Sequence, residues 1–310
     1  MGDFWSKESP PSEQLMETGW CEINWGTIQN KEIKKNLRKL QLKNPAVEHL
    51  HILVIGPVGA GKSSFIQSVN SVFKNRMVNT ACTVAAGGKS CTKTYTTNQF
   101  EDERARNLPF VISDVMGLEN GKDCGVQPRD IIKILEGHIK NGYTFNPVKP
   151  CSEEDTGYNS RPTVNDMVHC LVFVIPVINF TVNGCMDSDL IRRMQNIRQI
   201  ACDSGIPHVV ILTKVDLACP LVQEDIKHVY RSRSIHRKAQ ACSDALGVPM
   251  SCIFPVKNYH EEKQLNPDMD ALLLFTLREI LNYANDFVEN MREPEPEDHR
   301  MRSMGPFYSL

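Results

Sequence analysis

The chain has 310 residues, of which 41% are hydrophobic, and its formal net charge is -2. This length and apolar content are sufficient for one large core, so one main domain with extensions is expected. The near balance of charge gives no sign of a general polyanion binder, which disfavours nucleic acid as a partner.

The cysteines and the apolar runs indicate a cytoplasmic protein without a transmembrane segment. Eleven cysteines are scattered singly, with no C-x-x-C pair, as is typical of reduced thiols. The first residues lack the basic and apolar regions of a secretory signal. The longest apolar run, 170–178, has about half the length that a membrane-spanning helix needs and contains Pro176.

Extensions are expected at both ends of the main domain. Residues 1–19 are polar, and 293–310 are charged and contain proline, so both are predicted to be disordered. Residues 20–45 contain two tryptophans and a basic helical run, 30–42, with a partial apolar face. That pattern predicts an arm packed on the main domain, with a nucleic-acid or membrane helix as the alternative. The main domain is then 46–292.

Within the main domain, Val/Ile/Leu-rich runs alternate with segments of helical periodicity. Continuous apolar runs are what strands covered on both faces require, and helices between them make parallel crossovers. The predicted strands are 51–55, 108–114, 168–177, 207–214 and 251–257. The predicted helices are 63–74, 128–141, 187–203, 222–246 and 267–291. The fold class is therefore α/β, a three-layer α/β/α fold with a mostly parallel central sheet.

A glycine-rich loop connects the first strand to the first helix of this domain. It has the form G-x-x-x-x-G-K-S, which in a strand, loop and helix context predicts a P-loop. Glycines allow positive φ and close approach, so that backbone N–H groups can face phosphate oxygens at the helix N-terminus. The predicted contacts with the nucleotide phosphates are Gly56, Val58, Gly59, Ala60, Gly61, Lys62, Ser63 and Ser64.

Two residues at the end of this loop suggest how a nucleotide and its metal are held. Lys62 would bridge the β- and γ-phosphates, and the hydroxyl of Ser63 would ligate Mg²⁺. At the end of the next apolar run, Asp114 and Gly117 have the form D-x-x-G. In that form the carboxylate reaches the magnesium through water and the glycine N–H meets the γ-phosphate.

The base is indicated by a motif at a later strand end. Thr213-Lys214-Val215-Asp216 has the form T-K-x-D, in which one carboxylate accepts from the two neighbouring donors of guanine, a pair that adenine lacks. The stem of Lys214 would cover the ring, and Lys257 and Asn258 would contact the same ring. GTP or GDP is therefore the expected cofactor, together with Mg²⁺.

A threonine between the phosphate loop and Asp114 is needed to complete the magnesium shell. Four threonines compete. Thr92 is the predicted metal ligand and Thr94 is the second choice, whereas Thr96 and Thr97 lie in β-prone sequence and are assigned to a strand.

These motifs also carry a resemblance to a known family. "LVIGPVGAGKSSFIQSVNSVF", "SCTKTY", "DVMG", "DIIKILEGHIKNGY", "TKVD" and "FPVKNY" together resemble the interferon-induced protein 44 and 44-like family over about 20–292. The resemblance implies a P-loop GTPase-like fold in a cytoplasmic, GTP-binding protein that is induced by interferon and associated with antiviral defence. Mammalian members also carry an amino-terminal TLDc domain, for which this sequence is too short at that end.

Hydrolysis is expected to be slow, and no catalytic residue is assigned. Many small GTPases place a water-orienting glutamine directly after D-x-x-G, where this chain has Leu118. Glu119, Lys122 and Arg129 are weaker candidates, for which structural or surface roles are favoured. The leading hypothesis is a nucleotide-dependent switch or scaffold of the innate immune response. The alternatives are a self-associating GTPase with dimer-activated turnover and a nucleotide-free interaction protein.

Partners other than guanine nucleotide are only broadly indicated. A homo-oligomer could form through the nucleotide face, and the protein effector is unknown. The turn-rich loop 146–162 is expected to be either a partner surface or disordered. The basic helical run 224–238 is expected to be a solvated helix face, with an RNA or phosphoinositide site as the alternative.

Overall fold

The computed structural model describes residues 15–78, 93–119, 125–180 and 186–291. Its central sheet has six strands, and the order across the sheet is β2-β3-β1-β4-β5-β6. The strands are β1 (Leu50–Ile55), β2 (Thr96–Glu101), β3 (Asn107–Asp114), β4 (Cys170–Pro176), β5 (His208–Thr213) and β6 (Ile253–Pro255).

All neighbouring strand pairs are parallel except β2 and β3. The side chains of β1 and β4 are buried along their whole length, as sheets covered by helices on both faces require. The mostly parallel α/β fold predicted from the sequence is therefore confirmed. Thr96 and Thr97 lie in β2, as the sequence analysis assigned them.

Seven α-helices lie within the described residues. They are α1 (Thr27–Arg38), α2 (Lys62–Lys74), α3 (Pro128–Leu135), α4 (Ser188–Asp203), α5 (Pro220–Glu224), α6 (Arg233–Leu246) and α7 (Pro267–Asn290). Helix α7 contacts α1 and α2 in one group, and α4 contacts α3 and α6 in a second group. The two groups are the outer layers of the three-layer architecture.

The predicted helix 128–141 is too long. Helix α3 ends at Leu135, and Gly137 follows with a φ of +82°. Its Cβ would lie 2.9 Å from the backbone carbon of Asp166, so the chain comes close to another segment here and leaves the helix. The loop 146–162 packs on the same helix, because the backbone N–H of Cys151 donates at 2.8 Å to Oδ1 of Asp130 in the first turn of α3. The disordered alternative for this loop is therefore wrong, and the partner-surface alternative stays a prediction.

The predicted helix 222–246 is interrupted. Helix α5 ends at Glu224, and α6 starts only after Ser232, whose hydroxyl accepts the N–H of Ile235. Asp225 is extended, and its side chain accepts the N–H of Lys227. These local side-chain bonds compete with helix continuation. The basic run 224–238 is thus not the single helix face that was expected.

The N-terminal arm packs on the main domain, as the contacts of α1 show. The side-chain amide of Asn30 donates to the carbonyl of Pro267 at 2.7 Å, and Nζ of Lys34 donates to the carbonyl of Val72 at 3.3 Å. Trp20 packs edge-on against Tyr230, with ring centroids 4.6 Å apart. The helix of this arm, α1, spans Thr27–Arg38 and so begins and ends earlier than the predicted 30–42.

Some sequence predictions stay predictions. Residues 1–14, 79–92, 120–124, 181–185 and 292–310 lie outside the described part of the chain. The predicted disorder of 1–19 stays a prediction for 1–14, whereas Leu15 already forms a β-bridge with Ser232. Within the described ranges, no helix combines the length and the apolar character that crossing a bilayer requires.

Candidate functional site

The predicted motifs meet at one edge of the sheet. Because β1, β3, β5 and β6 run parallel, their carboxyl ends lie together, and the motif residues follow directly from those ends. The glycine-rich loop leaves β1 at the position where the chain order reverses, between β3 on one side and β4 on the other. Such switch points are the usual ligand-binding crevices of open α/β sheets.

The glycine-rich loop uses its glycines for different reasons. A Cβ on Gly56 would lie 2.0 Å from the carbonyl oxygen of Val174, so only glycine fits against β4. Gly59 has a φ of +72°, and its Cβ would point into open space. Gly61 has a φ of +95° and caps α2, which starts at Lys62. The loop therefore leads through two glycines at positive φ into the N-terminus of a 13-residue helix, and it leaves open space beside Gly59.

Lys62 lies inside this loop. Its Nζ donates to the carbonyls of Gly56 at 3.1 Å and Pro57 at 3.2 Å, and the residue is 7% exposed. Burial lowers the pKa of Lys62, and the nearby carboxylate of Asp114 opposes that shift. The ammonium is thus poorly solvated and held within the glycine-rich loop, where an anion would stabilise it.

Ser63 and Asp114 form the polar group next to Lys62. The hydroxyl of Ser63 donates to Oδ2 of Asp114 at 2.6 Å. Burial raises the pKa of Asp114, against the opposing effects of Lys62 and Ser63. Oδ1 of the same carboxylate is buried without a hydrogen-bond partner.

This donor set fits a hard cation. A hydroxyl and a carboxylate with one unused oxygen are ligands that Mg²⁺ accepts, directly or through water, together with phosphate oxygens. Among the described residues, no group of three or more His, Cys, Asp or Glu side chains could hold a metal by itself. A site here would therefore depend on oxygens from the ligand.

The segment after Asp114 packs directly on the glycine-rich loop. A Cβ on Gly117 would lie 2.7 Å from Cγ2 and 3.0 Å from the backbone nitrogen of Val58. The N–H of Leu118 donates to the carbonyl of Gly56 at 2.9 Å, and Leu118 is buried. The carbonyl of Glu119 accepts from Arg193 on α4. This leucine is therefore fixed against the loop and brings no polar side-chain atom to it.

The T-K-x-D segment is tied to the same loop. The hydroxyl of Thr213 donates to the carbonyl of Ala60 at 2.6 Å. The side-chain amide of Asn258 donates to the carbonyl of Gly61 at 3.0 Å, while its Oδ1 is buried without a partner. Lys214 adopts a left-handed conformation, φ +60°, which starts the turn that carries Asp216.

Asp216 faces one lysine, and that lysine faces a second carboxylate. Nζ of Lys257 lies 3.9 Å from Oδ2 of Asp216 and 3.0 Å from Oε1 of Glu262. Asp216 and Lys257 are predicted site residues, whereas Glu262 is not. No motif includes Glu262, because its contact with Lys257 depends on how the loop after β6 folds.

The remaining candidates have different outcomes. Thr92, the predicted metal ligand, lies outside the described residues, and so does Lys122. Thr94 forms a bridge with Thr144, and their hydroxyl oxygens are 3.5 Å apart. Ser64 lies in the first turn of α2, where its carbonyl accepts the hydroxyl of Ser68. Arg129 is exposed, which agrees with the surface role favoured for it.

Curated relatives match most of the chain. Interferon-induced protein 44 of Mus musculus is 32% identical over 266 residues, covering 85% of this chain and 61% of the relative. Interferon-induced protein 44-like of Homo sapiens is 33% identical and covers 79% and 54% respectively. Interferon-induced protein 44 of Homo sapiens is 32% identical and covers 86% and 59%. The chain thus spans somewhat more than half the length of these relatives, and its resemblance to them is confirmed.

Solved structures with a similar arrangement are distant. A probable GTP-binding protein engB is 15% identical, with a TM-score of 0.35, and the match covers 75% of this chain and 98% of that one. Translation elongation factor SelB from Methanococcus maripaludis, in complex with the GTP analogue GppNHp, is 12% identical with a TM-score of 0.39, covering 80% and 35%. No protein-family model matches the chain.

Proposed function

We propose that this chain, a homologue of interferon-induced protein 44 and 44-like, binds guanine nucleotide with magnesium and serves as a nucleotide-dependent switch or scaffold. One observation carries the proposal. The bond from Thr213 to Ala60 fastens the loop bearing Asp216 to the glycine-rich loop, and the bond from Asn258 to Gly61 fastens the loop after β6 to it. A single ligand can therefore contact the glycine-rich loop and the loop bearing Asp216 at once.

The glycine-rich loop is the part that suits phosphate. Backbone N–H groups at the start of α2 and the ammonium of Lys62 offer positive charge to an anion. Lys62 now donates to neutral carbonyls of its own loop, and phosphate oxygens are stronger acceptors for an ammonium. Val58 and Gly59 lie in this loop, and Ser64 lies in the first turn of α2.

Ser63 and Asp114 are the residues that would hold magnesium, with Thr92 as the predicted third ligand. The unpartnered Oδ1 of Asp114 supports this assignment, because a buried carboxylate oxygen without a donor is unfavourable unless a cation or water satisfies it. Magnesium at this position supplies neutralisation of the phosphate charge. Gly117 packs on Val58 of the glycine-rich loop, and its N–H would meet a terminal phosphate.

Asp216 is the residue proposed to select the base. One carboxylate can accept from two adjacent N–H donors on a purine, which guanine has and adenine lacks. Lys214 and Lys257 would lie along the ring. The buried, unpartnered Oδ1 of Asn258 offers a further acceptor next to the loop.

Turnover is proposed to be slow. Leu118 stands where a water-orienting side chain is needed, and it is buried against Gly56. With no polar atom from that position, GTP hydrolysis should stay at roughly 10⁻³ s⁻¹ or slower, which is the scale of unaided small GTPases. A rate per molecule that rises with protein concentration would instead favour the self-associating alternative.

Fluorescence titration with labelled GTP tests the proposal. The wild type is measured with magnesium and with EDTA, and unlabelled ATP and GTP serve as competitors. Lys62→Ala should weaken binding at least tenfold, because it removes the buried ammonium. Lys74→Ala, at the other end of the same helix, is the matched control and should bind as the wild type does. Displacement by ATP as readily as by GTP would reject the guanine assignment.

A further inference from the structure

Glu262 is the carboxylate closest to Lys257. The ammonium lies 3.0 Å from Oε1 of Glu262 but 3.9 Å from Oδ2 of Asp216. The side chains of all three residues are between 19% and 24% exposed, so these pairs are partly shielded from solvent. One lysine thus faces two carboxylates, and the distances show that it is held mainly by Glu262.

Glu262 is itself fixed by its own turn. Its Oε2 accepts the backbone N–H groups of His260 at 2.9 Å and Glu261 at 3.2 Å. Burial acts to raise the pKa of Glu262, but the backbone donors and Lys257 together outweigh it and lower the pKa to about 2. The side chain is therefore a permanent anion whose position is set by the backbone.

The position of Lys257 matters for the proposed role of Asp216. A carboxylate that accepts two donors from one purine edge needs both oxygens available. A lysine side chain is long and flexible, and its ammonium donates to whichever anion is nearest. Without Glu262, the nearest anion is Asp216, and an ammonium bound to Oδ2 would have to be displaced by the base.

We propose that Glu262 is a positioning residue for base selection, which holds Lys257 away from Asp216 and keeps that carboxylate available to the donor edge of guanine. This inference rests on the function proposed above. It assigns to a loop residue outside the motifs a direct effect on which purine is preferred.

The test compares GDP with IDP, because hypoxanthine lacks the exocyclic amine of guanine. Isothermal titration calorimetry in magnesium buffer measures both affinities for the wild type and for Glu262→Gln. The variant should bind GDP about fivefold more weakly, the scale of one partly exposed ion pair. Its preference for GDP over IDP should narrow by a similar factor. Glu261→Gln, at the adjacent exposed glutamate, is the matched control and should change neither value.

A second background separates positioning from structure. In Lys257→Met there is no ammonium to hold, so adding Glu262→Gln should change neither the GDP affinity nor the preference. If Glu262→Gln behaves as Glu261→Gln does, or if its effect persists in the Lys257→Met background, the inference is overturned while the proposed function stands. If the wild type binds no GDP at all, the proposed function falls and this inference falls with it.

Discussion

The hydroxyl of Ser63 donates to Oδ2 of Asp114 at 2.6 Å, while Oδ1 of that carboxylate is buried without a partner. Ser63 lies in the first turn of α2, which follows β1, and Asp114 is the last residue of β3. The bond therefore joins these two elements across the site. Both are oxygen ligands of the kind that magnesium prefers. Their separation in sequence, 51 positions, is bridged by the parallel pairing of β1 with β3.

Ser63→Ala should weaken GDP binding only when magnesium is present. The substitution removes one ligand and one donor to Asp114, so we expect at least a tenfold loss in magnesium buffer and little change in EDTA. Titration with labelled GDP in both buffers checks this. Ser71→Ala, on the same helix but bonded to the carbonyl of Gln67, is the control. An equal loss in the two buffers would count against a metal ligand at Ser63.

Gly56 and Gly59 should respond differently to alanine. At Gly56 the new Cβ would lie 2.0 Å from the carbonyl of Val174, which forces β1 and β4 apart, so the free energy of unfolding should fall by several kcal/mol. At Gly59 the Cβ meets nothing within 4 Å, so only the strain of a positive φ remains, about 1 kcal/mol.

Gly59→Ala should lower the nucleotide affinity more than it lowers the free energy of unfolding. The Cβ of Gly59→Ala would lie in open space on the loop proposed to hold phosphate, so that variant should fold but lose nucleotide affinity. Chemical denaturation and GDP titration of both variants check the pair of outcomes. Full affinity in Gly59→Ala would mean that phosphate lies elsewhere.

Much of this site could be predicted from the sequence because its parts are local. Continuous apolar runs predict strands covered on both faces. The whole pattern of the glycine-rich loop lies within eight consecutive residues, 56–63. Because the strands are parallel, motifs that follow successive strands along the chain lie at the same edge of the sheet. Asp114, Thr213 and Asn258 are therefore found together although no pattern states their contacts.

The rest depends on contacts that periodicity does not contain. Helical spacing continues through 222–246, but Asp225 and Ser232 bond neighbouring backbone N–H groups and interrupt the helix. Helix α3 stops before Gly137 because the chain comes close to Asp166 there. Glu262 could not be predicted either, because its contact with Lys257 depends on how the loop after β6 folds and not on a sequence pattern.

Two buried histidines should make the fold sensitive to acid. Burial lowers the pKa of His51 to about 3 and that of His169 to about 4, from an ordinary value of 6.5. The folded state then keeps both rings neutral while the unfolded state binds protons below pH 6.5. Stability is therefore complete above pH 6.5 and is lost as the pH falls, by about 1.4 kcal/mol per pH unit for each histidine.

His51→Gln should remove about one proton from this acid dependence. Denaturant titrations at pH 7, 6 and 5 give the slope of the unfolding free energy for the variant and the wild type. An unchanged slope in His51→Gln would show that this ring does not titrate on unfolding as proposed.

If Asp216 accepts the donor edge of a guanine base beside the glycine-rich loop, competition between GDP and XDP is the sharpest experiment on that assignment. Xanthine presents a carbonyl where guanine has its amine, so Asp216→Asn should bind XDP better than GDP, whereas the wild type should prefer GDP by at least tenfold. Competition titrations of both proteins against one labelled nucleotide measure the two ratios. A reversal of preference in Asp216→Asn is the predicted result, and an identical preference in the two proteins would contradict the account.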